Sequence, residues 1–384
     1  MISVKKLYAV CMSKLGDNMS KFNYVQSVEE RLIIKATEKK QPINATFELT
    51  PCCNMSCKMC FIRLENSEIN NHGRLLTIDE WLNLAKDLKD MGTLFLLLTG
   101  GEPLLYPQFS QLYIELIKMG MIVTINTNGT LITENIANLL QKYKPRRVNV
   151  TLYGASNETY ARLCNNPQGF KQVINGLNLL KERNIDVKLN GTLVPENQNE
   201  VENLLNIANE FDYPIKIDTY IFPTHRNDKL RFSERFRLKS DVAAQKYLEI
   251  MKCQKTKEYY ENYRRFTLEN CYKYDVNSLE IACRAGKSSV WITWNGEMTP
   301  CVFLNKPSYS ILNYKSSEAW QMLCENVGEV HLPIDCGKCE KRKICQVCVA
   351  SVYCENGNFD EKPRYMCQYT EEIVQILKKE LNKE

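Results

Sequence analysis

The feature that most constrains this chain is a sixfold alternation of short apolar runs with amphipathic segments between residues 45 and 222. Stretches 45–50, 94–100, 121–129, 146–154, 186–194 and 214–222 read as strands, each short, apolar or β-branched, and bounded by turn residues. Helical patterns are expected over 77–92, 107–119, 131–142, 169–183 and 198–210. The first opens with Thr77 and has Glu80 three positions later, a capping-box pair. Such repeats predict an α/β fold: a parallel sheet with helices outside, open or curled into a partial barrel. Ligands of such sheets gather at the C-terminal strand ends.

Residues 1–44 read as a mostly helical lead-in, 45–225 as the strand–helix unit and 226–280 as a charged helical bridge. Residues 281–370 read as a cysteine-rich domain with little regular structure, and 371–384 as a terminal helix. The net charge of +5 is small and spread along the chain and argues neither for nor against nucleic acid; no membrane or nucleic-acid partner is expected. No apolar run reaches 18 residues, and the first 15 residues lack a signal-peptide pattern, which predicts a cytoplasmic protein.

The 17 cysteines are unevenly placed. Three lie in 53–60 and ten from Cys271 onward, with only Cys164 and Cys253 between residues 61 and 270. Clusters at short spacing are what metal ligation needs, because neighbouring thiolates must converge. Cys53, Cys57 and Cys60 have the spacing C-x3-C-x2-C directly after the first strand. Three thiolates can hold three irons of a four-iron cluster and leave the fourth open to a chelating small molecule. Structural zinc would want a fourth ligand, and His72 is the only histidine nearby. The second strand ends in Thr99-Gly100-Gly101-Glu102-Pro103, where glycines permit close backbone approach and Glu102 can receive an ammonium group.

These motifs resemble the radical S-adenosylmethionine (radical SAM) superfamily, whose hallmark is this triplet in the loop after the first strand of a partial (β/α)6 barrel. The resemblance implies a 4Fe–4S cluster whose open iron binds S-adenosylmethionine, reductive cleavage to a 5′-deoxyadenosyl radical, and hydrogen abstraction from a substrate. It implies cofactor contacts from Met59, from Gly100, Gly101 and Glu102, and, for the ribose, from Thr151, with Asn190 as a further polar candidate. The aromatic residue after the triplet is Phe61. Where relatives often have Asp two residues after the position of Thr151, this chain has Tyr153.

The C-terminal cysteines resemble the SPASM domain, which carries auxiliary 4Fe–4S clusters in many peptide-modifying radical SAM enzymes. Cys283, Gly296 and Cys301 are followed by Cys336-x2-Cys339-x5-Cys345-x2-Cys348 and Cys367, the last short gap having two residues where the familiar pattern has three. The resemblance implies an outer cluster on Cys336, Cys339, Cys345 and Cys367, and an inner one on Cys283, Cys301 and Cys348. For the inner cluster's fourth ligand three readings stand: Cys271, an open iron, or a group of the substrate. Cys11, Cys52, Cys164, Cys253, Cys324 and Cys354 read as small buried hydrophobes.

A peptide or protein substrate follows from the SPASM resemblance, with a tetrapyrrole-like small molecule, or a non-catalytic iron–sulfur or zinc protein, as alternatives. An electron donor such as flavodoxin or ferredoxin is implied. A leader-peptide recognition domain would need roughly 80 residues, more than the lead-in provides. Asp218, Tyr220 and His225, near the end of the sixth strand, are the candidates for a general base.

Overall fold

The computed structural model describes residues 27–223, 236–272 and 279–382. His225 and Cys11 lie outside them. The six expected strands form as β1 (Asn44–Glu48), β2 (Phe95–Thr99), β3 (Ile122–Thr127), β4 (Arg147–Leu152), β5 (Val187–Thr192) and β6 (Ile215–Asp218). All pair in parallel with their sequence neighbours. Each crossover carries at least one helix, among them Ile78–Asp90, Phe109–Lys118, Glu134–Lys142, Gly169–Glu182 and Val201–Phe211.

Sequence dictates these elements locally. The Ile78–Asp90 helix begins at the expected capping box, Thr77 accepting from the Glu80 amide and Glu80 from the Thr77 amide. Its buried stripe, Ile78, Trp81, Leu84, Ala85 and Leu88, follows the 3–4 residue period that lays one face on the sheet. Trp81 is fully buried with its ring 4.6 Å from Phe47 of β1. The strands alternate: Val123, Ile125, Val148, Val150, Val187 and Leu189 are buried under the helices, whereas Thr124, Asn126, Asn149, Thr151, Lys188 and Asn190 are half-buried on the inner face. The core is therefore apolar and the inner face is lined by polar groups.

Two parts differ from expectation. Residues 289–310 do not stand apart as an irregular domain. β7 (Ser289–Ile292) pairs in parallel with β1, and β8 (Glu297–Thr299) and β9 (Tyr309–Ser310) follow antiparallel, giving one nine-stranded sheet in the order β6-β5-β4-β3-β2-β1-β7-β8-β9. The terminal helix starts earlier than expected and runs Arg364–Leu381, so it contains Cys367. It packs along the bridge helix Ser240–Gln254. Among the described residues no helix is long and apolar enough to cross a membrane.

Candidate active site

The loop that leaves β1 is held from two sides. Gly101 N donates to Thr50 O (2.7 Å) and Glu102 N to Cys52 O (2.8 Å). Ser56 N donates to Cys164 O (2.9 Å) and Lys58 N to Leu163 O (3.0 Å), pinning the middle of the loop to the end of the Asn157–Cys164 helix. The first contact explains the paired glycines. A Cβ on Gly100 would sit 2.5 Å from Thr50 O and one on Gly101 2.3 Å from Cys52 O, so only glycine lets the end of β2 lie against this backbone.

The loop brings Cys53, Cys57 and Cys60 together: the thiols of Cys57 and Cys60 act electrostatically on that of Cys53. Burial pushes Cys53 up to about 12, the nearby Glu102 carboxylate and sister thiols adding to it. Contact with Cys164, then burial, raises Cys57, and burial then Cys57 raises Cys60. Metal binding at such thiols releases their protons. Donors surround the sulfurs: Asn128 Nδ2 reaches Cys53 Sγ (3.6 Å) and Arg63 N reaches Cys60 Sγ (3.4 Å). Among the described residues no three His, Cys, Asp or Glu side chains are set to grip one metal ion. A donor set of three thiols, with hydrogen bonds to the sulfurs of Cys53 and Cys60, fits a multi-iron cluster.

Glu102 has more than one duty. Its carboxylate is fully buried and accepts from Thr127 Oγ1 (2.8 Å), Asn128 N (2.8 Å) and Leu104 N (3.2 Å). Burial pushes it up to about 7, against the effect of these donors. Glu102 thus also fixes the turn after β3, and through Asn128 it is linked to Cys53. Glu102→Gln keeps the shape but turns an amide NH2 toward backbone donors. We expect cofactor affinity to fall roughly ten- to a hundredfold, the range of a lost charge-assisted bond, and iron retained at the triplet to fall as well. Equilibrium dialysis and iron analysis read the two effects. No change in either would reduce Glu102 to a turn residue.

Met59 is buried in the main core. Thr151 and Asn190 stand opposite each other in the β4–β5 register, both half-buried on the inner face, so the structure brings the two ribose candidates side by side. Asp218 is bound to Lys216 (Nζ–Oδ1 2.8 Å) at a half-exposed position. Tyr220 donates its hydroxyl to Glu355 Oε1 (3.0 Å), and burial, then the Glu355 charge, raises its pKa far above the usual phenol range. That proton is committed, which argues against Tyr220 as a base.

Glu355 went unnoticed in the sequence. It is buried, accepts also from Tyr365 N (3.2 Å), and lies 3.4 Å from the buried Arg237, whose guanidinium covers the Tyr365 ring at 3.8 Å. This network ties the segment after β6 to the C-terminal region. Beside it runs an aromatic wall, Phe61 to Phe303 (4.9 Å), Phe303 to Phe222 (4.2 Å, stacked) and Phe222 to Tyr220 (4.8 Å).

The C-terminal cysteines gather in two groups. Cys336 feels the charges of Cys367, Cys345 and Cys339, and burial raises it to about 12. Thr370 Oγ1 donates to Cys345 Sγ (3.4 Å). Cys301 and Cys348 both feel Cys283, burial being the larger effect on each. Cys354, read from sequence as a core hydrophobe, belongs with this second group: after burial, Cys348 and Cys301 are the main influences that raise it to about 12. Cys271 caps the Lys257–Asn270 helix, donating to Leu268 O (3.3 Å) with Lys378 nearby. Only the fold, placing the Val349–Asn356 helix over Phe303, reveals Cys354, whose Sγ donates to Phe303 O (3.4 Å).

Residues 47–208 match the model of the Radical SAM superfamily. The AdoMet-dependent heme synthase of Methanosarcina barkeri is 25% identical over 345 residues, 84% of this chain and 95% of the relative. The antilisterial bacteriocin subtilosin biosynthesis protein AlbA of Bacillus subtilis is 26% identical over 170 residues, 44% of this chain and 37% of the relative. Among solved structures, Streptococcus suis SuiB bound to S-adenosylmethionine superposes with a TM-score of 0.61 at 16% identity, covering 93% of this chain and 87% of that one. AdoMet-bound anSMEcpe superposes with a TM-score of 0.66 at 17% identity, covering 89% and 98%. The two structures share the fold of this chain.

Proposed function

Residues 47–208 make this chain a radical SAM superfamily enzyme, and on that premise we propose that it abstracts hydrogen from a peptide or protein side chain. The observation that carries the reading is the gathering of Cys53, Cys57 and Cys60 at the end of β1, braced by Gly100–Glu102 and facing the same strand-end rim as Thr151 and Asn190. Cys53, Cys57 and Cys60 would hold three irons of a four-iron cluster, whose open iron would bind S-adenosylmethionine and supply the electron for its reductive cleavage. The buried Glu102 carboxylate favours an ammonium group against the Gly100–Gly101 backbone. Thr151 and Asn190 offer hydroxyl and amide to a ribose. Phe61, Phe222 and Phe303 exclude water from the reacting side chain. Asp218 is the better placed of the described base candidates, since Lys216 holds its carboxyl group in position at a half-exposed site.

The cysteine-rich region completes the reading with two auxiliary clusters, the outer on Cys336, Cys339, Cys345 and Cys367, the inner on Cys283, Cys301, Cys348 and now Cys354. The electron that starts each turnover comes from a donor such as flavodoxin or ferredoxin. A peptide substrate is supported by neighbours of the same whole-chain fold: SuiB has been solved with the precursor peptide SuiA, and anSMEcpe with the Kp18Cys peptide. One observation favours a second substrate class, a tetrapyrrole: the full-length sequence likeness to heme synthase.

Anaerobic reconstitution is expected to yield about 12 irons and 12 sulfides per chain, three four-iron cubes. Stoichiometric zinc with little iron would overturn the cluster reading. Mass spectrometry after turnover with candidate peptides or with Fe-coproporphyrin decides the substrate: loss of carboxyl mass from the porphyrin would sink the peptide reading.

A further inference from the structure

Arg237, Arg264 and Arg342 are the buried arginines among the described residues, 8%, 8% and 9% exposed. Two of them have carboxylate partners. Arg237 pairs with Glu355 and Arg264 with Glu261. Arg342 has none: among the described residues its side chain makes no ion pair, and its Nε is enclosed without a hydrogen-bond partner. A guanidinium does not give up its proton, so Arg342 carries a full charge into the interior. An unpaired buried charge is costly, and folded chains supply a counter-charge for it.

The chain itself sets the place of this charge. Arg342 is three residues from Cys339 and three from Cys345. Its amide donates to Cys339 O (2.9 Å), Cys339 N to Cys336 O (3.3 Å) and Cys345 N to Lys341 O (2.9 Å), so successive turns set Arg342 among three of the four outer cysteines. The nearby carboxylates are held by lysines instead. Lys341 Nζ holds Glu340 (3.1 Å) and Glu371 (3.0 Å), and Lys362 holds Asp335 (3.6 Å). The Arg342 charge is also felt at Cys336, where burial is the larger effect and Arg342 opposes it.

We propose that Arg342 is the counter-charge of the outer cluster, a buried cation left without a protein anion because its partner is the cluster on Cys336, Cys339, Cys345 and Cys367, which it makes easier to reduce. The inference rests on the reading that these four cysteines hold a four-iron cluster. A cube on four thiolates is a net anion, and reduction makes it more negative. A fixed cation beside it therefore stabilises both forms, the reduced one more. Arg342 thus acts through the cluster as a positioning residue and touches no substrate.

The test is a redox titration of the reconstituted full chain followed by electron paramagnetic resonance. The outer signal is identified as the one absent from Cys367→Ala. Arg342→Met keeps a long side chain and removes the charge, and Arg342→Lys keeps the charge. One unit charge in a partly screened interior is worth a factor on the order of ten. Arg342→Met is expected to lower the reduced-to-oxidised ratio of the outer cluster roughly tenfold at fixed potential, a midpoint about 59 mV more negative for a one-electron couple. The triplet signal and its midpoint should not move, and Arg342→Lys should recover most of the ratio. An outer midpoint equal to wild type in Arg342→Met at full iron loading would overturn the inference. So would an Arg342→Lys midpoint as low as that of Arg342→Met, because shape rather than charge would then matter. Loss of the outer irons from both variants would overturn it too, by making Arg342 a structural part. Their loss from Arg342→Met alone, with Arg342→Lys at the wild-type midpoint, would support it. If Cys367→Ala kept every signal, the outer-cluster reading itself would fall.

Discussion

Replacing Cys53, Cys57 and Cys60 together by alanine is expected to remove about four irons per chain and to abolish the formation of 5′-deoxyadenosine. The effect is all-or-none because nothing else in the loop can take over three ligands at once. The loop itself should persist: its backbone bonds to Thr50, Cys52, Leu163 and Cys164 use no thiol, and β1 remains paired on both sides. The protein should therefore fold, keep the irons of the C-terminal groups and lose only the chemistry. Iron analysis with product chromatography measures both. Continued production of 5′-deoxyadenosine by the triple variant would mean the open-iron site lies elsewhere.

The second large effect is expected from Cys367→Ala. Cys367 is gathered with Cys339 and Cys345, and Cys336 feels all three. Loss of one of four ligands should empty the outer cluster, since closing the 336–367 loop is part of what the metal contributes to folding. The consequence is uneven. The Arg364–Leu381 helix buries Tyr365, Met366, Tyr369, Ile373, Val374 and Leu377 without help from iron, so it should stay docked. Protease cuts should appear in 336–345 instead. Cofactor cleavage should continue, and turnover of the true substrate should be lost, because the Glu355 network and the Phe303 wall hang from this region. Mass spectrometry of the product decides it: full conversion would show the outer cluster to be dispensable.

The barrel strands were legible because each is a short apolar or alternating run bounded by turn residues, and the six form within a few residues of where the pattern places them. The helices Asn66–His72 and Asn157–Cys164 were not. The first has no buried residue, and the second is short and polar at its start, so neither shows a sustained apolar stripe. Missing the second hid the anchoring of the cysteine loop on the carbonyls of Leu163 and Cys164. β7, β8 and β9 are four, three and two residues long, too short for a periodic signal, and the pairing of β7 with β1 joins residues far apart in sequence. The site was legible where chemistry forces spacing, as in the triplet, and illegible where the fold alone makes neighbours. Glu355 and Cys354 carry no local pattern. Cys271 is a fourth-ligand candidate by sequence order alone, and in the fold it caps the Lys257–Asn270 helix.

The strand that carries the cysteine loop is an interior strand, flanked by β2 and β7. The cysteine-rich region is thus no detachable module. A chain cut before residue 289 would expose one whole side of β1, and an unpaired strand invites pairing with another copy. Exchanging C-terminal halves between relatives would replace the very neighbour that steadies the radical-generating loop, so the two halves are bound to diversify together.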